Sequence, residues 1–85
     1  MKQVPQDGLI YLINEKEEKA EIINCYENRY NFLIPSSIYY ESQEYIVISI
    51  SKNAFKYSPN IKSIEFASDS ELQIIEKYAF FGSSI

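Results

Sequence analysis

Few side chains in this sequence have the types and spacing that chemistry requires, and two nearby carboxylates come closest. Asp69 and Glu71 could hint at a calcium loop or at an acid–base pair. No further oxygen ligands follow at EF-hand spacing, and Asp-x-Glu is common in turns. We therefore interpret "ASDSE" (67–71) as a corner, where Asp and Ser side chains hold a turn through bonds to nearby backbone.

Other reactive residue types are scarce. The absence of histidine removes imidazole bases, Ser-His and Cys-His pairs and His-ligated metals. The single cysteine, Cys25, cannot form an internal disulfide or a thiolate zinc site. We predict a half-buried, inert thiol there, the alternative being a reactive or intermolecular one. Gly8 and Gly82 are too far apart for a phosphate-binding loop. We expect no enzyme, no cofactor and no metal.

Length and composition indicate one small folded unit. The 85 residues are 46% hydrophobic with only two glycines and three prolines, which argues against disorder. The net charge is −4 and no Lys/Arg cluster offsets it, so we expect no nucleic-acid partner. No apolar run could span a bilayer, and the polar start "MKQVPQDG" is not a signal peptide. We expect no direct membrane insertion, and the location of the chain stays open.

Short apolar runs rich in isoleucine and tyrosine predict β-hairpins. The first hairpin joins 9–13 to 20–24 through the charged tip "NEKEEK", and residues 1–30 form an N-terminal β-hairpin or cap segment. A strand follows in which Phe32 and Ile34 alternate with Asn31 and Leu33. A second hairpin then pairs 38–40 with 45–50. Its crowded tyrosines indicate either an aromatic contact patch or, preferably, cross-strand pairs over the core: Tyr39, Tyr40 and Tyr45.

A repeat occupies the remainder of the chain. "ISKNAFKYS" (50–58) aligns with "IEKYAFFGS" (75–83), with a period of about 25 residues, inside the range of leucine-rich-type repeats. At the end of the strand "IKSIEF" (61–66), Ile64-x-Phe66-Ala67 aligns with Phe32-x-Ile34-Pro35 if the hairpin "YYESQEY" is an insertion of about seven residues. We predict that Ile61, Ile64 and Phe66 face an interior, which residues 72–75 and the Ala-Phe pairs close from the far side. Neither half of a coil buries itself alone, so successive coils must stack and share Phe55 and Phe80.

The segments "IPSSI…YIVISISKNAF" and "IKSIEFASDSELQIIEKYAF" resemble the BspA-type, or Treponema pallidum-type, leucine-rich repeats, and are similar to the BspA-like surface antigens of trichomonads. The resemblance covers residues 32–85. It implies a mainly β solenoid fragment: N-terminal hairpins, then about two repeats over 31–85, the last one incomplete, with parallel strands and short helical or turn segments on the convex side. We expect a fragment or truncated product of a longer array, whose uncapped last repeat could drive self-association.

The resemblance implies binding and not catalysis. BspA-like proteins are linked to adhesion, so we expect a protein ligand or an extracellular host surface, recognised through the rigid strand face, and a cell-surface location. The alternative is an intracellular repeat scaffold, or a truncated gene product with no ligand of its own. The outward strand positions are the candidate contacts, as two columns, or else are ordinary solvent-facing residues: Asn31 beside Ser63, and Leu33 beside Glu65.

Overall fold

The computed structural model describes residues 1–80, and half of them lie in β-strands. The predicted mainly β class is confirmed. The described residues contain no helix, and turns and irregular segments connect the strands. The eight strands, in chain order, are β1 (Lys2–Gln6), β2 (Leu9–Asn14), β3 (Lys19–Cys25), β4 (Asn31–Ile34), β5 (Ser37–Tyr40), β6 (Gln43–Ile50), β7 (Ser63–Phe66) and β8 (Ile74–Ile75).

The larger sheet has the order β1-β2-β3-β6-β5, with β8 also paired to β6. Strands β1, β2 and β3 are antiparallel neighbours, as the first predicted hairpin requires. Strand β1 was not predicted, because its sequence is polar apart from Val4, which is buried. The Asp7-Gly8 turn joins β1 to β2 with φ angles of 50° and 89°. A two-residue turn with both central residues at positive φ matches the twist of the strands it connects.

Strand β6 is the centre of the larger sheet. It pairs in parallel with β3, from Lys19↔Ile46 to Ile22↔Ile50. On its other side, β5 pairs antiparallel with its first half, and β8 pairs in parallel with its last two residues. The sheet is therefore mixed, and its parallel part brings together segments that are far apart in the chain.

The smaller sheet consists of β4 and β7 in parallel. Its register runs from Asn31↔Ser63 through Leu33↔Glu65 to Ile34↔Phe66, which is the register that the repeat alignment predicts. The backbone bond from the Ala67 amide to the Ile34 carbonyl (3.0 Å) extends the pairing past the strand ends. The two strands thus hold their outward side chains in fixed columns.

One hydrophobic core serves both sheets, and a row of three phenylalanine rings crosses it. Phe55 is fully buried, with its ring edge-on to Phe32 at 5.3 Å and stacked on Phe80 at 5.0 Å between centroids. The prediction that the two Ala-Phe pairs share one interior agrees with these contacts. The buried apolar residues are Val4, Leu9, Tyr11, Ile13, Ala20, Ile22, Cys25, Phe32, Ile34, Ile38, Tyr45, Val47, Ile50, Ala54, Phe55, Ile61 and Ala79.

The two Ala-Phe turns have matching backbone geometry. Asn53 and Tyr78, which precede them, both have positive φ, at 60° and 66°. The Asn53 amide donates to the Tyr78 carbonyl (2.9 Å), and the Phe55 amide donates to the Ala79 carbonyl (3.1 Å). The repeated residues therefore lie side by side and are joined through their main chains. Ser83, the aligned partner of Ser58, lies outside the described residues.

Three burial predictions were wrong. Phe66 was predicted to face the interior, but 43% of it is exposed, and Ile75 is 48% exposed. Within the described chain β7 has β4 as its single strand neighbour, so the core that covers Phe32 does not extend over Phe66. Cys25 was predicted to be half-buried and is fully buried. Burial raises the pKa of its thiol, which disfavours the reactive thiolate.

Candidate protein-binding face

The four predicted contact residues lie together on the outer side of the smaller sheet. Asn31, Leu33 and Glu65 are exposed and Ser63 is half-buried, while Phe32 and Ile34 are buried on the other side of β4. Successive side chains of a β-strand point to opposite faces of the sheet, which explains why exposed and buried residues alternate along β4. We refer to Asn31, Leu33, Ser63 and Glu65 as the strand face.

The strand face has one polar column and one mixed column. In the first, the Ser63 hydroxyl donates to Asn31 Oδ1, so the side chains are fixed against each other across the two strands. In the second, Leu33 is opposite Glu65 and is 59% exposed. An exposed leucine held on a paired strand offers apolar contact area that needs little ordering on binding.

The strand face continues into a depression that the sequence analysis did not predict. It has a volume of about 460 Å³ and is lined by Asn28, Arg29, Tyr30, Asn31 and Asn60. We call it the asparagine depression. Most of its residues precede β4 or β7 in irregular segments. No periodicity marks such residues, and only the local richness in Asn, Arg and Tyr in "YENRYN" (26–31) could have drawn attention to them.

Arg29 is oriented by two carboxylates and an aromatic ring. Its Nε donates to Glu27 Oε1 (2.6 Å), and its Nη2 lies 3.4 Å from Asp7 Oδ1. The hydrogen bond to Glu27 is the main reason that the pKa of Arg29 is raised. The guanidinium also lies 5.1 Å from the centre of the Phe32 ring. At Gly8, a Cβ atom would come within 2.9 Å of Arg29 Nη2, so a larger residue would displace this group.

A buried serine holds the segment 28–29 in place. Ser58 is fully buried, and its Oγ accepts a hydrogen bond from the Arg29 amide (3.0 Å). Its hydroxyl hydrogen can reach either Asn28 Oδ1 (3.4 Å) or the Arg29 carbonyl (3.3 Å). The Asn60 amide also donates to Asn28 Oδ1 (3.4 Å). The floor of the asparagine depression is therefore fastened to the turn that follows the first Ala-Phe pair.

The structure places the three tyrosines of the second hairpin in different environments. Tyr39 is 64% exposed, whereas Tyr45 is buried opposite Ile38, and Tyr40 lies below Lys2, 5.1 Å from its Nζ. A continuous aromatic patch is thus not formed. The preferred interpretation was cross-strand packing over the core, and the buried pair of Tyr45 and Ile38 has this arrangement.

The segment that carries the two nearby carboxylates is an exposed corner. Asp69 and Glu71 are both exposed, and Ser70 forms the turn: its amide donates to the Ala67 carbonyl (3.0 Å) and its Oγ accepts from the Leu72 amide (3.2 Å). Across residues 1–80, no three His, Cys, Asp or Glu side chains lie close enough to hold a metal ion. No helix long and apolar enough to cross a membrane occurs in the same range.

Comparisons with protein-family models, curated proteins and solved structures gave no match to this chain.

Proposed function

We propose that this chain is a non-enzymatic, leucine-rich-repeat type module that binds a protein through its strand face. The observation that carries the proposal is the parallel pair β4–β7, which presents an exposed Leu33 above buried Phe32 and Ile34. A preordered face of this kind loses little conformational entropy when it binds.

The repeat character of the proposal is supported by the two Ala-Phe turns. Their equivalent residues share positive φ at Asn53 and Tyr78 and stack Phe55 on Phe80. Side-by-side packing of equivalent residues is the arrangement by which solenoid repeats build a common core. The resemblance of the same segments to BspA-type repeats favours adhesion at a cell surface as the biological setting.

The binding proposal can be tested with labelled protein applied to cultured epithelial cells and to immobilised extracellular-matrix proteins. We expect saturable binding that Leu33→Asp weakens at least about tenfold, because a charge cannot replace an apolar contact at the centre of an interface. Tyr39→Asp is the matched control: it places the same charge on a similarly exposed residue outside the strand face, and we expect binding to persist. Binding no stronger than that of an unrelated acidic protein, or insensitive to Leu33→Asp, would refute the proposal.

The cellular setting needs a separate experiment. Intact cells that produce the protein can be treated with a protease or labelled with an antibody. A surface adhesin is cleaved or labelled without lysis of the cells. Protection until lysis would favour the intracellular scaffold instead, whatever the outcome of the binding assay.

A further inference from the structure

We infer that the asparagine depression is a binding subsite for a carboxylate, supplied by an acidic side chain or a C-terminus of the protein partner. The inference rests on the proposed protein-binding function, since it assigns the carboxylate to that partner. It adds a chemical specificity that the strand face itself does not provide.

The first reason is that the lining presents hydrogen-bond donors. Asn28 Oδ1 is occupied by Ser58 and by the Asn60 amide, and Asn31 Oδ1 is occupied by Ser63. Their Nδ2 groups have no hydrogen-bond partner among residues 1–80, and neither does the side chain of Asn60. These two amides have unpaired donors and oxygen atoms that already accept hydrogen bonds, so they favour a ligand that accepts.

The second reason is charge. Arg29 lines the depression, and its Nη1 makes no hydrogen bond within the described part of the chain. The Lys62 ammonium lies 5.5 Å from the centre of the ring of Tyr30, which lines the depression. Glu27 and Asp7, the acidic groups bound to Arg29, do not line the depression. These two carboxylates offset the charge of Arg29, so the remaining attraction for a ligand carboxylate comes from the Lys62 ammonium and from the Arg29 Nη1 donor, which the contacts hold in position.

A neutral ligand fits less well. A peptide amide or a sugar hydroxyl presents donors as well as acceptors, and a donor needs an oxygen atom to receive it. Two of the three asparagine oxygens are already occupied. A carboxylate has acceptors alone, and hydrogen bonds to a charged group are about twice as strong as neutral ones.

The inference can be tested by nuclear magnetic resonance on the ¹⁵N-labelled chain, which reports the side-chain amides directly. The probe is a blocked triglutamate peptide, with blocked triglutamine as its uncharged counterpart, at about 0.15 M salt to screen the acidic protein. We expect saturable shifts of the Asn28, Asn31 and Asn60 side-chain signals with triglutamate and none with triglutamine.

Two variants with the same change of charge complete the test. Asn60→Asp places a carboxylate in the depression and should weaken triglutamate binding about tenfold or more. Gln73→Glu adds an equal charge at an exposed position before β8 and should change binding less than about twofold. The Asn60 side chain makes no hydrogen bond within residues 1–80, and an unchanged backbone spectrum of Asn60→Asp verifies folding.

Absence of shifts in the three asparagine signals, equal shifts with triglutamine, or equal weakening by the two variants would overturn the inference. These outcomes are independent of the adhesion assay. If Leu33→Asp abolishes adhesion while triglutamate fails to bind, the strand-face proposal stands and the carboxylate subsite does not. If triglutamate binds but adhesion is absent, the subsite stands and the proposed function does not.

Discussion

Phe55→Ala should be among the most destabilising substitutions in this chain, and clearly more so than Phe80→Ala. Phe55 is fully buried and its ring contacts two others, Phe32 edge-on and Phe80 face to face. Removing a buried phenylalanine costs about 3–5 kcal/mol. A domain of this length has a free energy of unfolding of roughly 4–12 kcal/mol, so the variant should lose a large fraction of its stability.

Phe80 is partly exposed and packs on the margin of the core. Its truncation removes less apolar area from the interior, and we expect a loss of roughly 1–2.5 kcal/mol. Phe66→Ala is the matched control, because that ring is 43% exposed, and it should cost less than about 1 kcal/mol. The double variant of Phe55 and Phe80 should reveal a coupling of about 0.5–1.5 kcal/mol from the stacked pair.

The measurement is urea unfolding followed by far-ultraviolet circular dichroism and tyrosine fluorescence, since the chain has no tryptophan. The slope with urea concentration should stay unchanged while the midpoint falls. Equal losses for Phe55→Ala and Phe80→Ala, or additive losses in the double variant, would refute the idea that the equivalent rings share one interior.

Three further outcomes are expected. Ser42→Gly should stabilise the fold by about 0.5–1 kcal/mol in the same urea assay, because Ser42 has a φ of 68° in a tight hairpin turn that favours glycine; Ser42→Ala should give no gain. Burial raises the pKa of both Cys25 and Tyr11, so the unfolded chain loses these protons first, and stability should fall as the pH rises above about 8. The double variant Cys25→Ala/Tyr11→Phe should flatten that fall, and an unchanged pH profile would contradict the assignment. Self-association through the exposed Ile74 should be detectable by sedimentation and be reduced by Ile74→Lys; a monomer at all concentrations would exclude it.

The sequence predicts those parts of the fold in which a segment is repeated or in which apolar and polar residues clearly alternate. Phe32 and Ile34 could be placed in the core because they alternate with Asn31 and Leu33, and the aligned Ile64 then gave the register of β7. Both hairpins follow from short apolar runs separated by polar turns. These patterns are local or repeated, so they can be interpreted without knowledge of the tertiary contacts.

The parts that could not be predicted depend on contacts that no pattern encodes. Val4 is buried because β1 closes back on β2, although its neighbours in sequence are polar. Phe66 has the pattern of a core residue but lies at the edge of a two-stranded sheet. The strand face could be predicted from alternation. The asparagine depression could not, because it is assembled from irregular segments that meet through Ser58.

The shared edge of β6 has a consequence for how this architecture can vary. Strand β5 covers that edge up to Ile46, and β8 begins to pair at Ser49, so β5 and β8 divide one edge of β6 between them. Lengthening the loop at the hairpin tip should leave the division intact, whereas deleting β5 would free the first half of the edge for a longer β8. Strand β5 thus limits how far β8 can extend its pairing along β6, and amide hydrogen exchange along residues 71–75 of a β5-deleted variant would measure that limit.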